Sequence, residues 1–494
     1  MSWFHRNGKG LLLVGLVLVL VGARAEALRF AGNPTPLGDE WDGDMVRLLQ
    51  PYLHGDLTLG DLFRFHNEHV VFFTRLTTLA VFKASGYWDV VLQMIVNAIL
   101  DAATVVALGL AFSRVLTGAW AWTALILAVL LNVLPLSWEN ILLGFNTHFY
   151  LLLSLSFAGL WLLAKSPAWS PHWILGAAFA GAANLCMASG ALTPAAAAGL
   201  HVLQSLRGRR EGMRDWLGIA ALIALTIALG ALALGAAGSG ELRANSPGRF
   251  LEAFVQLIGW PLVPALAVLT VAPTAAFCVL TIADRPPLSD PRWFNVAGYG
   301  WIVTQILALA LGRGELGIQN RYLDTLLVGL TINIVSALWL ARSAAASRER
   351  RIWPYLTMAL WLAIVVVSLA HTSRHTPGDM DARRRSAAVQ EENVRAYLAT
   401  KDASHLAGVP LVDIPYFDAS DLQKLLDTPE IRAALTPALI GKDPPRDWVE
   451  TFKDGFLGHG LALVGIGLLL SIAAVAVAMR GPRLGRTPLR ADGG

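Results

Sequence analysis

Long apolar runs separated by short polar connections make up most of the chain. A membrane-spanning helix needs about 20 mostly apolar residues. Twelve stretches meet that description: 9–27, 89–113, 118–137, 147–165, 172–187, 189–206, 216–238, 257–282, 293–312, 322–341, 353–371 and 457–479. The fifth and sixth form a tight small-residue hairpin, with Gly181, Ala182, Ala183, Ala188, Ser189 and Gly190 at its turn. Two long segments interrupt the pattern. In 28–88, "MVRLLQPYL" and "LGDLFRFHNEHVVFFTRLTTLAVF" read as two amphipathic helices. Leu59, Leu62, Phe63 and Val70 share one apolar stripe there, and His66 and His69 are one turn apart. Such helices are expected to lie along the membrane surface, apolar face down. In 372–456, "SAAVQEENVRAYLATKD" and "SDLQKLLDTPEIRAAL" predict the short helices of a cap.

The expected fold is an all-α integral membrane protein. It has about twelve transmembrane helices, surface-lying helices in the first outer loop and a small helical outer segment before the last helix. Residues 1–371 form the bundle, including loop 28–88; 372–456 form the periplasmic segment; 457–494 form the last helix and a basic tail.

Composition agrees with a polytopic membrane protein. Of 494 residues 55% are hydrophobic and 15% charged, against about 25% charged in soluble domains, and mean hydropathy is +0.54. Seventeen tryptophans suit membrane interfaces. Cys186 and Cys278 lie in apolar runs and make neither a metal pattern nor a disulfide framework. The net charge of +4 carries topology here and implies no nucleic acid. With the N-terminus (Arg6, Lys9) cytoplasmic, twelve crossings place "RGRREGMR", "RSAAASRERR" and the basic C-terminal tail inside. The short outer loops then carry little Lys or Arg beyond Arg243, Arg249, Arg313 and Arg321. This obeys the positive-inside rule, with both termini cytoplasmic. "GLLLVGLVLVLVG" followed by "ARAEA" also fits a signal peptide cleaved after Ala25. Either way residue 28 onward is outside.

The chemistry gathers in that first outer loop. Asp39, Glu40, Asp42 and Asp44 fall within six residues. Four acids there read either as a solvated loop with a helix cap at Asp42 or Asp44, or as a carboxylate site at the membrane surface. At these residues the chain resembles the GT-C superfamily of membrane glycosyltransferases. In that superfamily an acidic motif, often Asp-Glu, opens the first outer loop ahead of surface-lying helices. "HNEH…RL" and "WEN…GF" are also similar to patterns of bacterial inner-membrane proteins near this superfamily. The resemblance implies transfer of a sugar from a polyprenyl-phosphate donor to a glycan or lipid acceptor on the periplasmic face, beside membrane lipid. It implies Asp39 as first choice of base and Glu40 as second. The short C-terminal outer segment departs from the large domains of some members.

Such a transfer needs a carboxylate at the acceptor hydroxyl and cations for the leaving phosphate, supplied by a divalent metal or by side chains. Arg321, His69 and Arg75 are candidates for phosphate contact. In "SWENILLGFNTHFY" the outer loop offers Trp138, Glu139, Asn140, Asn146 and His148. "GRGELGIQNRYLD" adds Arg313 and Arg321, and "HTSRHTPGD" adds His371, Arg374 and His375. The stretch His66-Asn67-Glu68-His69 admits three readings: half a metal site, a structural network in which Glu68 and Arg75 hold the surface helix against its neighbours, or a wall of the donor site. One cavity joining Asp39, His69, Glu139 and Arg321 is the structural expectation. The rival reading is a transporter or flippase of lipid-linked or small polar substrates, with Asp101 in "VNAILDAATVV" as its intramembrane charge or as a buried half of an interhelical pair.

Overall fold

The computed structural model describes the backbone of residues 2–234, 242–345 and 352–479. The basic clusters Arg348, Arg350, Arg351 and Arg480, Arg483, Arg486, Arg490 lie outside the described residues, as does the side chain of Arg6. The described residues are helical, with no strand longer than a single isolated bridge.

The bundle comprises α1 (Ser2–Ala31), α2 (Phe72–Ser85), α3 (Val90–Ser113), α4 (Ala119–Val133), α5 (Thr147–Lys165), α6 (Pro171–Ala183), α7 (Leu192–Leu206), α8 (Met213–Leu234), α9 (Pro247–Gly259), α10 (Ala267–Asp284), α11 (Arg292–Gly312), α12 (Leu323–Ala344) and α13 (Trp353–Ser373). Then come α14 (Thr376–Thr400), α15 (Ala419–Asp427), α16 (Trp448–Gly458) and α17 (Gly460–Met479). Among the described residues nine helices are long and apolar enough to cross a bilayer. The chain is therefore a multi-pass, all-α membrane protein.

Of the twelve expected spans, 118–137, 172–187 and 189–206 fall short. They appear as α4 with 15 residues, α6 with 13 and α7 with 15. At about 1.5 Å per residue α6 and α7 reach roughly 20 and 22 Å, against about 30 Å of hydrocarbon. Local sequence stops them: Ser170 caps α6 by accepting from Trp173 N at 3.3 Å, and Gly190 turns where Ala183 leaves no room for a side chain. The α6–α7 turn thus ends inside the bundle and leaves a space above it.

Two features fix α1. It runs antiparallel to α17 along a glycine seam, where a Cβ on Gly22 would stand 2.6 Å from Gly460 O and one on Gly15 2.7 Å from Gly467 O. Backbones this close need small residues. On its other side Arg24 Nε bonds Asp101 Oδ2 of α3 at 2.7 Å, both side chains buried.

The segment after α13 is a cap docked on residues 28–89. Asn33 Nδ2 donates to Glu391 Oε2 (2.9 Å), Trp88 N to Ala434 O (2.7 Å) and Lys453 Nζ to Asp89 Oδ2 (2.7 Å). The expected first surface helix is present as a π-helical run, Glu40–Leu49, continued by Gln50–His54 and ended at Gly55 with φ +79°. The expected second one is not continuous. Leu59–Phe63 is a 3-10 turn, and α2 begins only at Phe72. His66 and His69 are therefore not one helical turn apart. Their backbones pair across a tight turn, His66 N to His69 O at 2.7 Å and His69 N to His66 O at 3.0 Å. Asn67 at φ +50° makes the turn, a conformation asparagine tolerates better than most residues.

Candidate functional site

The acidic motif is taken apart by the fold, and each acid meets a different environment. Trp41 anchors it: its ring is fully buried, donates to Pro36 O at 2.9 Å and meets Trp88 edge-on at 5.1 Å. That places Asp39 and Glu40 on opposite sides of the chain. Asp39, its side chain 40% exposed, faces a cavity with Oδ1 3.4 Å from His66 Nε2. Glu40 points inward and is fully buried, accepting from Leu37 N at 2.7 Å and Phe145 N at 3.3 Å. Asp42 accepts from the Tyr416 hydroxyl of the cap at 2.5 Å. Asp44 is buried and accepts from Thr78 Oγ1 at 2.9 Å.

Their proton affinities separate accordingly. Burial pulls Asp39 upward, but the adjacent His66 ring and the Arg321 charge outweigh it and hold its carboxyl below the usual range. Burial dominates at Glu40 and pushes it up to about 7 against its backbone bonds. Burial, reinforced by Glu40, raises Asp44 well above a normal aspartate. Of Asp39, Glu40 and Asp44, only Asp39 is held on the ionised side.

The cavity holds about 1040 Å³, at the upper end of the range for small-molecule sites. Asp39, His66, Glu68, His69, Glu139, His148 and Arg321 all line it. The expected joining of Asp39, His69, Glu139 and Arg321 is met. Charge pairs cross it: Arg313 with Glu68, and Arg321 Nε with Glu139 Oε2 at 3.6 Å. Burial raises Glu139 and the Arg321 charge opposes it. Burial lowers His69, with Glu68 opposing, so its ring is neutral at neutral pH. Its Nδ1 accepts from Ala188 N at 3.3 Å, which assigns the ring proton to Nε2. Toward the membrane the wall turns apolar, with Phe149, Leu152, Met187, Leu192, Ala308 and Leu309. The short α6–α7 hairpin supplies Met187 and Leu192 as the floor.

Three expected residues stand elsewhere. Glu40 does not line the cavity. Neither does Arg75, whose guanidinium is buried and donates through Nη1 to Leu62 O (3.0 Å), Arg64 O (2.6 Å) and Val70 O (2.9 Å). It braces the His66–His69 turn and so has a structural place, whereas Glu68 pairs with Arg313 instead of sharing a network with Arg75. Asn140 is buried, donating to Asp324 Oδ2 at 2.7 Å and Arg321 O at 2.9 Å, and so positions the Arg321 backbone. His371, Arg374 and His375 bond one another at an exposed helix junction away from the cavity. Among the described residues no group of three or more His, Cys, Asp or Glu could hold a metal ion; His66 and His69 turn to Asp39 and Ala188.

The sequence gives no hint of the cap's share. Arg383, Ser386 and Gln390 of α14 and the strand of chain from Leu411 to Phe417 form the cavity's far wall. Gly38 N donates to Pro415 O at 2.9 Å, and Phe417 packs over Gly38 beside Asp39.

These features define a class: a multi-pass α-helical membrane protein with one capped, amphipathic, arginine-rich cavity. Nothing narrower comes from known proteins: no family model, no curated protein and no solved structure matches the chain.

Proposed function

We propose that the chain is a GT-C-type glycosyltransferase of the bacterial inner membrane, with twelve membrane helices and both termini cytoplasmic. It moves a sugar from a polyprenyl-phosphate donor to a glycan or lipid acceptor on the periplasmic face. The observation that carries the reading is the mix of groups that line one cavity. Apolar side chains such as Phe149, Leu152 and Leu309 share it with arginines and with the ionised Asp39. A polyprenyl-phosphate sugar carries the complementary groups: apolar chain, anionic head, sugar hydroxyls. Trp138 Nε1 and Glu68 Oε2, of two residues that line the cavity, are buried without hydrogen-bond partners among the described residues. Such atoms call for a ligand or water, and sugar hydroxyls satisfy both.

In the reaction the acceptor oxygen bonds the anomeric carbon as the carbon–oxygen bond to phosphate breaks. The phosphate takes the electron pair, and Arg321 stabilises its charge. The hydroxyl proton passes to Asp39. Glu40, near 7, is the better match to a base by proton affinity, but a base must reach the hydroxyl, so geometry selects Asp39. With its low proton affinity Asp39 accepts the proton late, as attack makes the hydroxyl acidic.

Asp39→Asn, purified intact, should lose transfer by roughly 10²- to 10⁴-fold and still bind donor. Full transfer in that variant would sink the assignment. Vesicle transport of lipid-linked or small polar substrates with no sugar transfer would favour the transporter or flippase.

A further inference from the structure

The cavity's arginines are not equivalent. Arg313 pairs with Glu68 and Arg321 with Glu139. Arg243 lies at the exposed rim, where water solvates its charge. Arg383 differs from all three. It is half-buried, it lines the cavity, and its Nη1 donates to the neutral Gln390 Oε1 at 3.0 Å. Among the described residues no carboxylate lies within ion-pair distance of it. Glu40, whose charge does reach Arg383, is held near 7 by burial and is half neutral at neutral pH.

A partly desolvated guanidinium without a counter-ion is costly unless an anion completes it. Its planar fork matches phosphate oxygens. We infer that Arg383 of the cap is an anion-binding residue of the cavity, contacting a phosphate mono- or diester whose other contacts come from the membrane bundle. The cap then closes on its ligand as well as on the protein. Gln390, which holds Arg383, also donates to Val412 O at 2.9 Å. Three residues on, Pro415 O accepts from Gly38, next to Asp39. An anion at Arg383 therefore ties α14 and the 411–417 strap to the site.

The inference rests on the proposed function only for the lipid attached to the phosphate. The test measures binding of polyprenyl phosphate, neutral polyprenol and inorganic phosphate to the purified full chain in lipid nanodiscs. Arg383→Gln should bind polyprenyl phosphate roughly ten- to a hundredfold more weakly, the loss expected for a charge-assisted contact, with polyprenol binding unchanged. Arg383→Lys should fall between. Arg384→Gln, which removes an exposed neighbour paired with Asp381, should bind like the unaltered chain. Lipid phosphate binding more tightly than inorganic phosphate identifies a lipid headgroup; equal binding identifies a free phosphate. Unaltered affinity in Arg383→Gln, or in Arg383→Lys should the glutamine variant fail to fold, overturns the inference. So does polyprenol binding as tightly as its phosphate. Arg383-dependent phosphate binding without any sugar transfer would leave the anion site standing and remove the transferase.

Discussion

The Arg24–Asp101 pair offers a sharp energetic test. The two side chains are 1% and 6% exposed and bonded at 2.7 Å between α1 and α3. Taking the charge centres as about 4 Å apart, their attraction is about 4 kcal/mol at an effective dielectric constant of about 20. Desolvation opposes this by several kcal/mol per ion, so the pair as a whole contributes little net stability. Removing one partner is different, because the survivor keeps its desolvation cost and loses its attraction. Asp101→Asn should destabilise by about 3–5 kcal/mol. The double variant Arg24→Met, Asp101→Leu should lie within about 1 kcal/mol of the unaltered chain, since a packed apolar pair replaces the ions at small net cost. Reversible unfolding in mixed detergent micelles measures both. The reasoning fails if Asp101→Asn unfolds like the unaltered chain, or if the double variant is as unstable as the single one. The pair also gives Asp101 a structural role, so the double variant should retain the proposed sugar transfer; a proton-carrying Asp101 would not tolerate leucine. Cleavage after Ala25 would remove Arg24 and leave the Asp101 carboxylate alone in the bundle.

Glu40 predicts a pH dependence. Between about 4.5 and about 7 the unfolded chain has lost this proton while the folded chain keeps it, so stability falls as pH rises through that window and levels off above it. Glu40→Gln should flatten this slope and gain up to about 3 kcal/mol above pH 7, read as melting temperature against pH; parallel curves for the two proteins would refute it. Arg75→Met removes three bonds to the 62–70 backbone, a loss of about 3 kcal/mol. Amide exchange across 62–70 should quicken by roughly a hundredfold with the α1–α17 pair unchanged, and unaltered exchange there would show that the turn does not depend on Arg75.

What was legible in the sequence follows from the range of the forces involved. Apolar period and length mark the spans because each helix satisfies its own backbone in lipid. The hairpin 172–206 was recognisable as small-residue turns, but its shortness was not, since a few terminal residues decide it. The His66–His69 segment misled because Leu62, Phe63 and Val70 continue a helical stripe while Asn67, at positive φ, breaks the helix between them. Asp39 and Glu40 are adjacent in sequence, and only the burial of Trp41 sends one to the cavity and the other to the interior. Arg75 sits among polar residues that suggest a ligand, yet its partners are carbonyls of its own loop, which carry no sequence signal. Arg383 was illegible for the opposite reason. It lies in "DARRRS", where Arg384 and Arg385 pair outward with Asp381, and only helix phase turns one of three consecutive arginines inward.

The choice between transfer and transport also turns on packing. A carrier needs its polar path to open alternately toward both faces. Farther from the cap, Phe112, Phe157, Phe294 and Trp301 form an interlocked layer, with ring centroids at 5.4 Å for Phe112–Phe157, 5.1 Å for Phe112–Phe294 and 5.1 Å for Phe157–Trp301. All four are at most 1% exposed, and Gly298 fits among them only because it has no side chain: a Cβ there would stand 3.0 Å from Phe157 and 3.1 Å from Phe112. An aqueous path through this layer would wet rings of roughly 150–250 Å² each, at about 4–6 kcal/mol per ring. Four rings bring the cost to the order of 20 kcal/mol, well above the total stability of a typical domain. The proposed chemistry at the capped end requires no movement of that layer, so the packing that opposes a carrier leaves the transferase reading untouched.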